Sequence, residues 1–118
     1  MTGTAITTAF IPVRNPQAAA AWYSRVLGLS IAEAGSFSAV LTGGGTASVT
    51  LMGPDSGIQA SPGLRWATCN FRVVDLAGTH ARLEDSGVPV GSIAGALDVC
   101  LFFTAQDPDG NTLLLTDR

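Results

Sequence analysis

The chain has 118 residues, room for one compact domain with a substantial core and too few for two independent cores. Hydrophobic residues make up 47% and charged ones only 13%, which excludes a disordered segment and leaves apolar surface to line a cavity or a subunit interface. The net charge is −3 and all six basic residues are scattered arginines, so neither nucleic acid nor an acidic membrane is an expected partner.

Residues 1–8 lack the basic start and long apolar stretch of a signal peptide. No run approaches the roughly 20 apolar residues of a membrane helix, and the expected location is cytoplasmic. Residues 6–13 alternate loosely and are rich in β-formers, which predicts a first strand. Asn15-Pro16 then supplies an N-cap followed by Pro at the first helical position. Ala19, Trp22, Tyr23 and Val26 recur at helical spacing as one apolar stripe, and Gly28 ends the helix. Three strands are expected near 30–34, 36–42 and 46–52, with Gly43-Gly44-Gly45 turning between the last two. Gly53 to Gly63, with two Pro and three Gly, has the composition of a connecting loop.

The pattern then starts again. A strand is expected over 66–74, Asp75 is a cap, 76–86 a helix closed by Gly87, and strands follow near 88–93, 97–104 and 111–116. Between the last two, Asp107-Pro108-Asp109-Gly110 has the chemistry of a type I turn: Asp first, Pro fixing φ second, Gly fourth. Val13 answers Val73 or Val74 and Gly28 answers Gly87, so the order βαβββ occurs twice as an internal repeat. The expected fold class is α+β, one domain with a first module at about 4–53, a loop at 54–64 and a second module at about 65–118. Each module's helix covers one sheet face and leaves the other bare, so two modules must face each other to close a cup. Cys69 and Cys100 form no C-x-x-C pair and read as two reduced thiols packed in a core.

The stretches IPVRNPQAAAAWYSRVLGL, FRVVDLAGTHARLEDSGV and DPDGNTLLLTD, in this order and spacing, resemble the vicinal oxygen chelate superfamily, which includes glyoxalase I, bleomycin-resistance proteins and extradiol dioxygenases. The likeness runs over essentially the whole chain. It implies paired βαβββ modules around a curved mixed sheet, helices on the outer face and a small-molecule cup inside. In metal-using relatives four His, Glu or Gln ligands project into the cup from the first and last strands of each module. Counting from the helix caps and the Asp-Pro-Asp-Gly turn, the resemblance carries these positions onto Thr8, Thr50, Thr68 and Leu114. Neutral hydroxyls are weak donors and Leu offers none, so no metal and no other cofactor is expected. Among the adjacent residues only Cys69 could bind one. The single His, His80, lies on the second helix and is expected to pack outside the cup.

With those four positions pointing inward, strand alternation places Phe10, Ser48, Met52, Trp66, Asn70, Arg72, Thr112 and either Leu101 or Phe103 on the same face. Ile11, Val13, Val49, Leu51, Phe71, Val73, Leu113 and Leu115 fall under the helices. The residues expected to contact a ligand are Phe10, Thr50, Met52, Trp66, Thr68, Asn70, Arg72, Phe103 and Leu114. Phe10 and Met52 alternatively plug a small cup, Trp66 alternatively covers an interface, and Arg72 either meets a ligand anion or sits hydrated at the rim. Glu33 and Asp98 default to surface roles, and no catalytic group stands out. The leading reading is a metal-independent protein that sequesters an aromatic or hydrophobic small molecule, as bleomycin-resistance proteins do. The alternatives are a metal-free enzyme using Arg72, Asn70 and the threonines as hydrogen-bond donors, and a structural dimer with a filled cup. A homodimer is expected in each case.

Overall fold

The computed structural model describes residues 3–118. It divides into two compact units, Met1–Pro62 and Gly63–Arg118. The first contains β1 (Thr8–Pro12), α1 (Pro16–Leu27), β2 (Ser30–Ala34), β3 (Ser38–Thr42) and β4 (Ser48–Met52), followed by a single 3-10 turn at Pro54–Ser56. The second contains β5 (Asn70–Arg72), α2 (Leu76–Asp85), β6 (Ala94–Ala96), β7 (Cys100–Gln106) and β8 (Thr112–Thr116). Each unit has a four-stranded mixed sheet, ordered β1-β4-β3-β2 in one and β5-β8-β7-β6 in the other. In both, the first and last strands run parallel and the remaining pairs antiparallel. The architecture is α+β with the βαβββ order used twice.

Local chemistry sets the first helix where the sequence predicts it. The Asn15 side chain accepts from Ala18 N–H at 3.1 Å, Pro16 opens the first turn, and Gly28 closes it at φ 73° with its N–H on Ser24 O. The helix buries Ala19, Ala20, Tyr23 and Val26 on its sheet while Trp22, assigned to the same stripe by its spacing, is only half-buried and lies edge-on to Tyr23. Beneath it, Ile11, Val13, Ala39, Leu41, Val49 and Leu51 fill the core. Each fully buried Ile, Val or Leu side chain there contributes about 1.5–3 kcal/mol.

In the second unit Asp75 caps α2 through Gly78 N–H at 3.0 Å, with the glycine so close that an added Cβ would run into the carboxylate. Leu76 and Leu83 are the buried residues of α2, and Phe103, Ala105, Leu113 and Leu115 are the buried hydrophobics of β7 and β8. Two strand expectations shift here. Segment 88–93 is not a strand: it runs beside β7 through one bridge, Val90 with Ala105, plus Gly91 N–H to Thr104 O and Gln106 N–H to Pro89 O. Pro89 has no N–H to give a ladder, which explains the interruption. Strand β6 forms later, at Ala94–Ala96, and Leu97–Val99 turn rather than starting β7. Gly95 makes that possible, at φ 104° and with Cys100 O occupying the space of a Cβ.

The Asp107 turn closes as its residues predict, with Gly110 N–H on Asp107 O at 2.9 Å and Gly110 at φ 81°. Asp107 Oδ1 accepts from both Asp109 N–H and Asn111 N–H at 2.9 Å. A type I turn followed by a left-handed glycine is a known three-residue hairpin loop. Asn111, 1% exposed, then reaches back: its Oδ1 accepts from Gly63 N–H and Leu64 N–H, and its Nδ2 donates to Asp107 Oδ2. Among the described residues, no helix is long and apolar enough to cross a membrane.

Candidate functional site

Each sheet has one face under its helix and one face open, and pairing register fixes which residues share the open face. In the first unit Phe10 lies beside Thr50, Thr50 beside Val40, and Val40 beside Glu33, one row across all four strands. The next rows hold Thr8, Ser48, Thr42 and Ser30 on one side, and Pro12, Met52 and Ser38 on the other. Thr8 and Thr50 are half-buried, their hydroxyls 2.8 Å apart, and Thr8 Oγ1 also lies 3.1 Å from Ser48 O and 3.3 Å from Ala9 O. Phe10 is 51% exposed and Met52 half-buried.

In the second unit the open face carries Asn70 beside Leu114 and Leu114 beside Thr104. The neighbouring row is Arg72, Thr116, Phe102 and Ala94. Asn70 and Arg72 are exposed and Leu114 half-buried. Thr68 and Trp66 precede β5 in irregular chain, both exposed, Trp66 to 80%. The strand expected from residue 66 therefore starts only at Asn70, and strand alternation does not orient Trp66 or Thr68.

Phe103 corrects the expected arrangement. It pairs with Leu115 on the helix-covered side, is 1% exposed and meets the His80 ring edge-on at 4.8 Å. Leu101, the alternative, alternates to that same side, and Phe102 takes the open face at 36% exposure. A slip of one residue reverses every side chain of a strand, and two adjacent phenylalanines give no hydrophobic cue to resist it. The turn held the missing signal. The three-residue loop Pro108-Asp109-Gly110 sets Asp107 against Asn111 and Gln106 against Thr112, which puts Thr104 against Leu114 and so Phe102 outward. His80, half-buried, places Nε2 2.8 Å from Gly91 O; a carbonyl only accepts, so Nε2 carries the proton and the ring is used in packing.

The donor set does not fit a transition metal. Among the described residues no group of three or more His, Cys, Asp and Glu side chains comes together. Thr8 and Thr50 are hydrogen-bonded to each other, and Leu114 presents only carbon. Burial pushes the half-buried Cys69 thiol above its ordinary 9.0, so at neutral pH it holds its proton and offers no thiolate. Elemental analysis of dialysed protein is expected to find far less than one Zn, Ni, Mn or Fe per chain. A value near one would mean that ligands converge in an arrangement other than the strand register described.

A family model described as Glyoxalase/Bleomycin resistance protein/Dioxygenase superfamily matches residues 5–115. Among solved structures, a member of the glyoxalase/bleomycin resistance protein/dioxygenase superfamily from Sphaerobacter thermophilus is similar with TM-score 0.79 and 20% identity, covering 96% of both chains. A bleomycin resistance determinant encoded on transposon Tn5 gives TM-score 0.70 and 22% identity over 98% of both chains. Lactoylglutathione lyase from Agrobacterium tumefaciens gives TM-score 0.75 and 18% identity, over 98% of this chain and 95% of that one. At these identities the likeness speaks for the fold alone. No curated protein matches the chain.

Proposed function

The chain belongs to the Glyoxalase/Bleomycin resistance protein/Dioxygenase superfamily, and on that premise we propose that it is a metal-independent binding protein that sequesters an aromatic or hydrophobic small molecule without changing it. One observation carries this reading. Where the family resemblance puts metal ligands, the chain has three threonines, two of them bonded to each other through their hydroxyls, and a leucine, while the open sheet faces present exposed aromatic and polar side chains. Apolar walls with a few oriented polar groups suit retention of a planar ligand and need no catalytic group. The proposed contacts are Phe10, Thr50 and Met52 in the first unit and Trp66, Thr68, Asn70, Arg72 and Leu114 in the second, with Phe102 in place of Phe103. The two free cysteines suit a reducing, cytoplasmic setting, and the whole chain is taken to act as one domain.

Mass spectrometry of native protein tests the reading: a compound retained and recovered unchanged after incubation is the expected result. A modified compound would favour the metal-free enzyme, and a protein that retains nothing would favour the structural dimer. For a retained aromatic with a polar or anionic group, Arg72→Ala is expected to weaken binding about tenfold, because a hydrogen bond to a charged group contributes about 1.5–3 kcal/mol. The melting temperature should barely move, since Arg72 is exposed.

A homodimer is part of the same proposal. Ile31, Phe37, Trp66, Leu97 and Val99 are large apolar side chains each more than 40% exposed, and a two-fold contact between copies would cover such surface. Light scattering should give about twice the 12.0 kDa chain mass at micromolar concentration. A mass of one chain would rule out a stable dimer.

A further inference from the structure

We infer that the open face of the first unit selects ligands that bring a hydrogen-bond donor, an arylalkyl ammonium being the class that fits. The inference rests on the binding reading above and specifies the chemistry of one of its faces. Thr8 has one hydroxyl proton and three oxygens in reach: Ser48 O at 3.1 Å, Ala9 O at 3.3 Å and Thr50 Oγ1 at 2.8 Å. Two of these are carbonyls, which can only accept. When the Thr8 proton goes to a carbonyl, the short Thr8–Thr50 contact has to be a donation from Thr50. Both protons are then used in one directed chain, Thr50 to Thr8 to carbonyl, whereas the reverse direction leaves the carbonyls without the Thr8 proton. Thr50 Oγ1 is left with lone pairs only, so it accepts from a ligand.

The residues in register with Thr50 give that acceptor its context. Phe10 lies one strand away, about 5 Å, with a half-exposed ring. Val40 lies on the other side, and beyond it Glu33, about 10 Å from Thr50. Glu33 is exposed and is the only charged residue in β1 to β4. An aromatic ring on Phe10 with an alkyl chain over Val40 brings an ammonium between a hydroxyl acceptor and a carboxylate. A carboxylate in that position would face lone pairs and a like charge. The second unit has the opposite polarity, since Asn70 and Arg72 on its open face offer N–H donors.

Calorimetry with 4-phenylbutylamine and 5-phenylpentanoate, equal in chain length and opposite in charge, tests the inference on the intact protein. The amine is expected to bind at least about tenfold more tightly. Thr50→Val should reduce amine affinity about tenfold and Glu33→Gln severalfold, the latter effect fading with added salt. Thr8→Val frees the Thr50 proton and should narrow the preference between the two probes. Thr50→Ser keeps the acceptor and should keep the affinity. Glu33 is exposed, so Glu33→Gln remains decisive if Thr50→Val folds poorly. Equal or tighter binding of the carboxylate, or amine binding untouched by both Thr50→Val and Glu33→Gln, overturns the donor preference while leaving small-molecule binding intact. Binding of neither probe also overturns it, and the retained-compound experiment then decides the broader reading separately.

Discussion

Asn111→Ala is expected to destabilise the protein by about 3 kcal/mol, lowering the melting temperature by roughly 10 °C. The side chain is 1% exposed and well satisfied: Oδ1 takes Gly63 N–H and Leu64 N–H at 2.9 Å, and Nδ2 gives to Asp107 Oδ2 at 3.0 Å. Truncation leaves two backbone donors short of their acceptor and strips a partner from a carboxylate that is itself only 5% exposed. The loss of stability is therefore larger than three neutral surface bonds would give. Asn111→Asp supplies a sharper comparison. It keeps an acceptor for Gly63 and Leu64 but replaces the Nδ2 donor by a second carboxylate facing Asp107, so it should be at least as destabilising. Chemical denaturation of both variants measures this, and a loss below about 1 kcal/mol for Asn111→Ala would show that water replaces the amide without penalty.

Leu114→Glu is expected to abolish binding of a neutral or anionic aromatic ligand at the second unit's open face, a loss of at least about a hundredfold. Leu114 sits on β8, the strand between β5 and β7, with Asn70 on one side and Thr104 on the other. A bound ligand covering it would take the new carboxylate out of water at a penalty of several kcal/mol, and any pairing with Arg72 in the neighbouring row would withdraw that guanidinium from the ligand. The fold should tolerate the change much better, because the position is only half-buried and faces away from the core without a ligand. Leu114→Met is the control for shape and should keep most of the affinity. Full affinity in Leu114→Glu, for a ligand shown to bind, would place the binding surface on other residues.

The repeat, both helices and their caps, and the turn at Asp107 were legible in the sequence because each rests on contacts within a few residues. Asn15 and Asp75 cap the helices they precede, Gly28 takes the left-handed position that only a glycine adopts freely, and Asp107 bonds the turn it opens. The division of the first unit's strands into a covered and an open face follows from alternation, so Ile11, Val49 and Leu51 could be assigned without coordinates. Pairing across strands is a different matter, since it joins residues far apart in the chain. The length of the Asp107 turn already carried the register that puts Phe102 rather than Phe103 on the open face, whereas only the tertiary structure moved β6 to Ala94–Ala96 and folded Asn111 back onto Gly63 and Leu64. The Thr8–Thr50 contact belongs to the same class: two unremarkable threonines 42 positions apart become one hydrogen-bonded pair because β1 and β4 lie parallel in register. Local propensity sets where a strand begins and which way its side chains alternate, but its partner and register come from the balance of packing over the whole sheet.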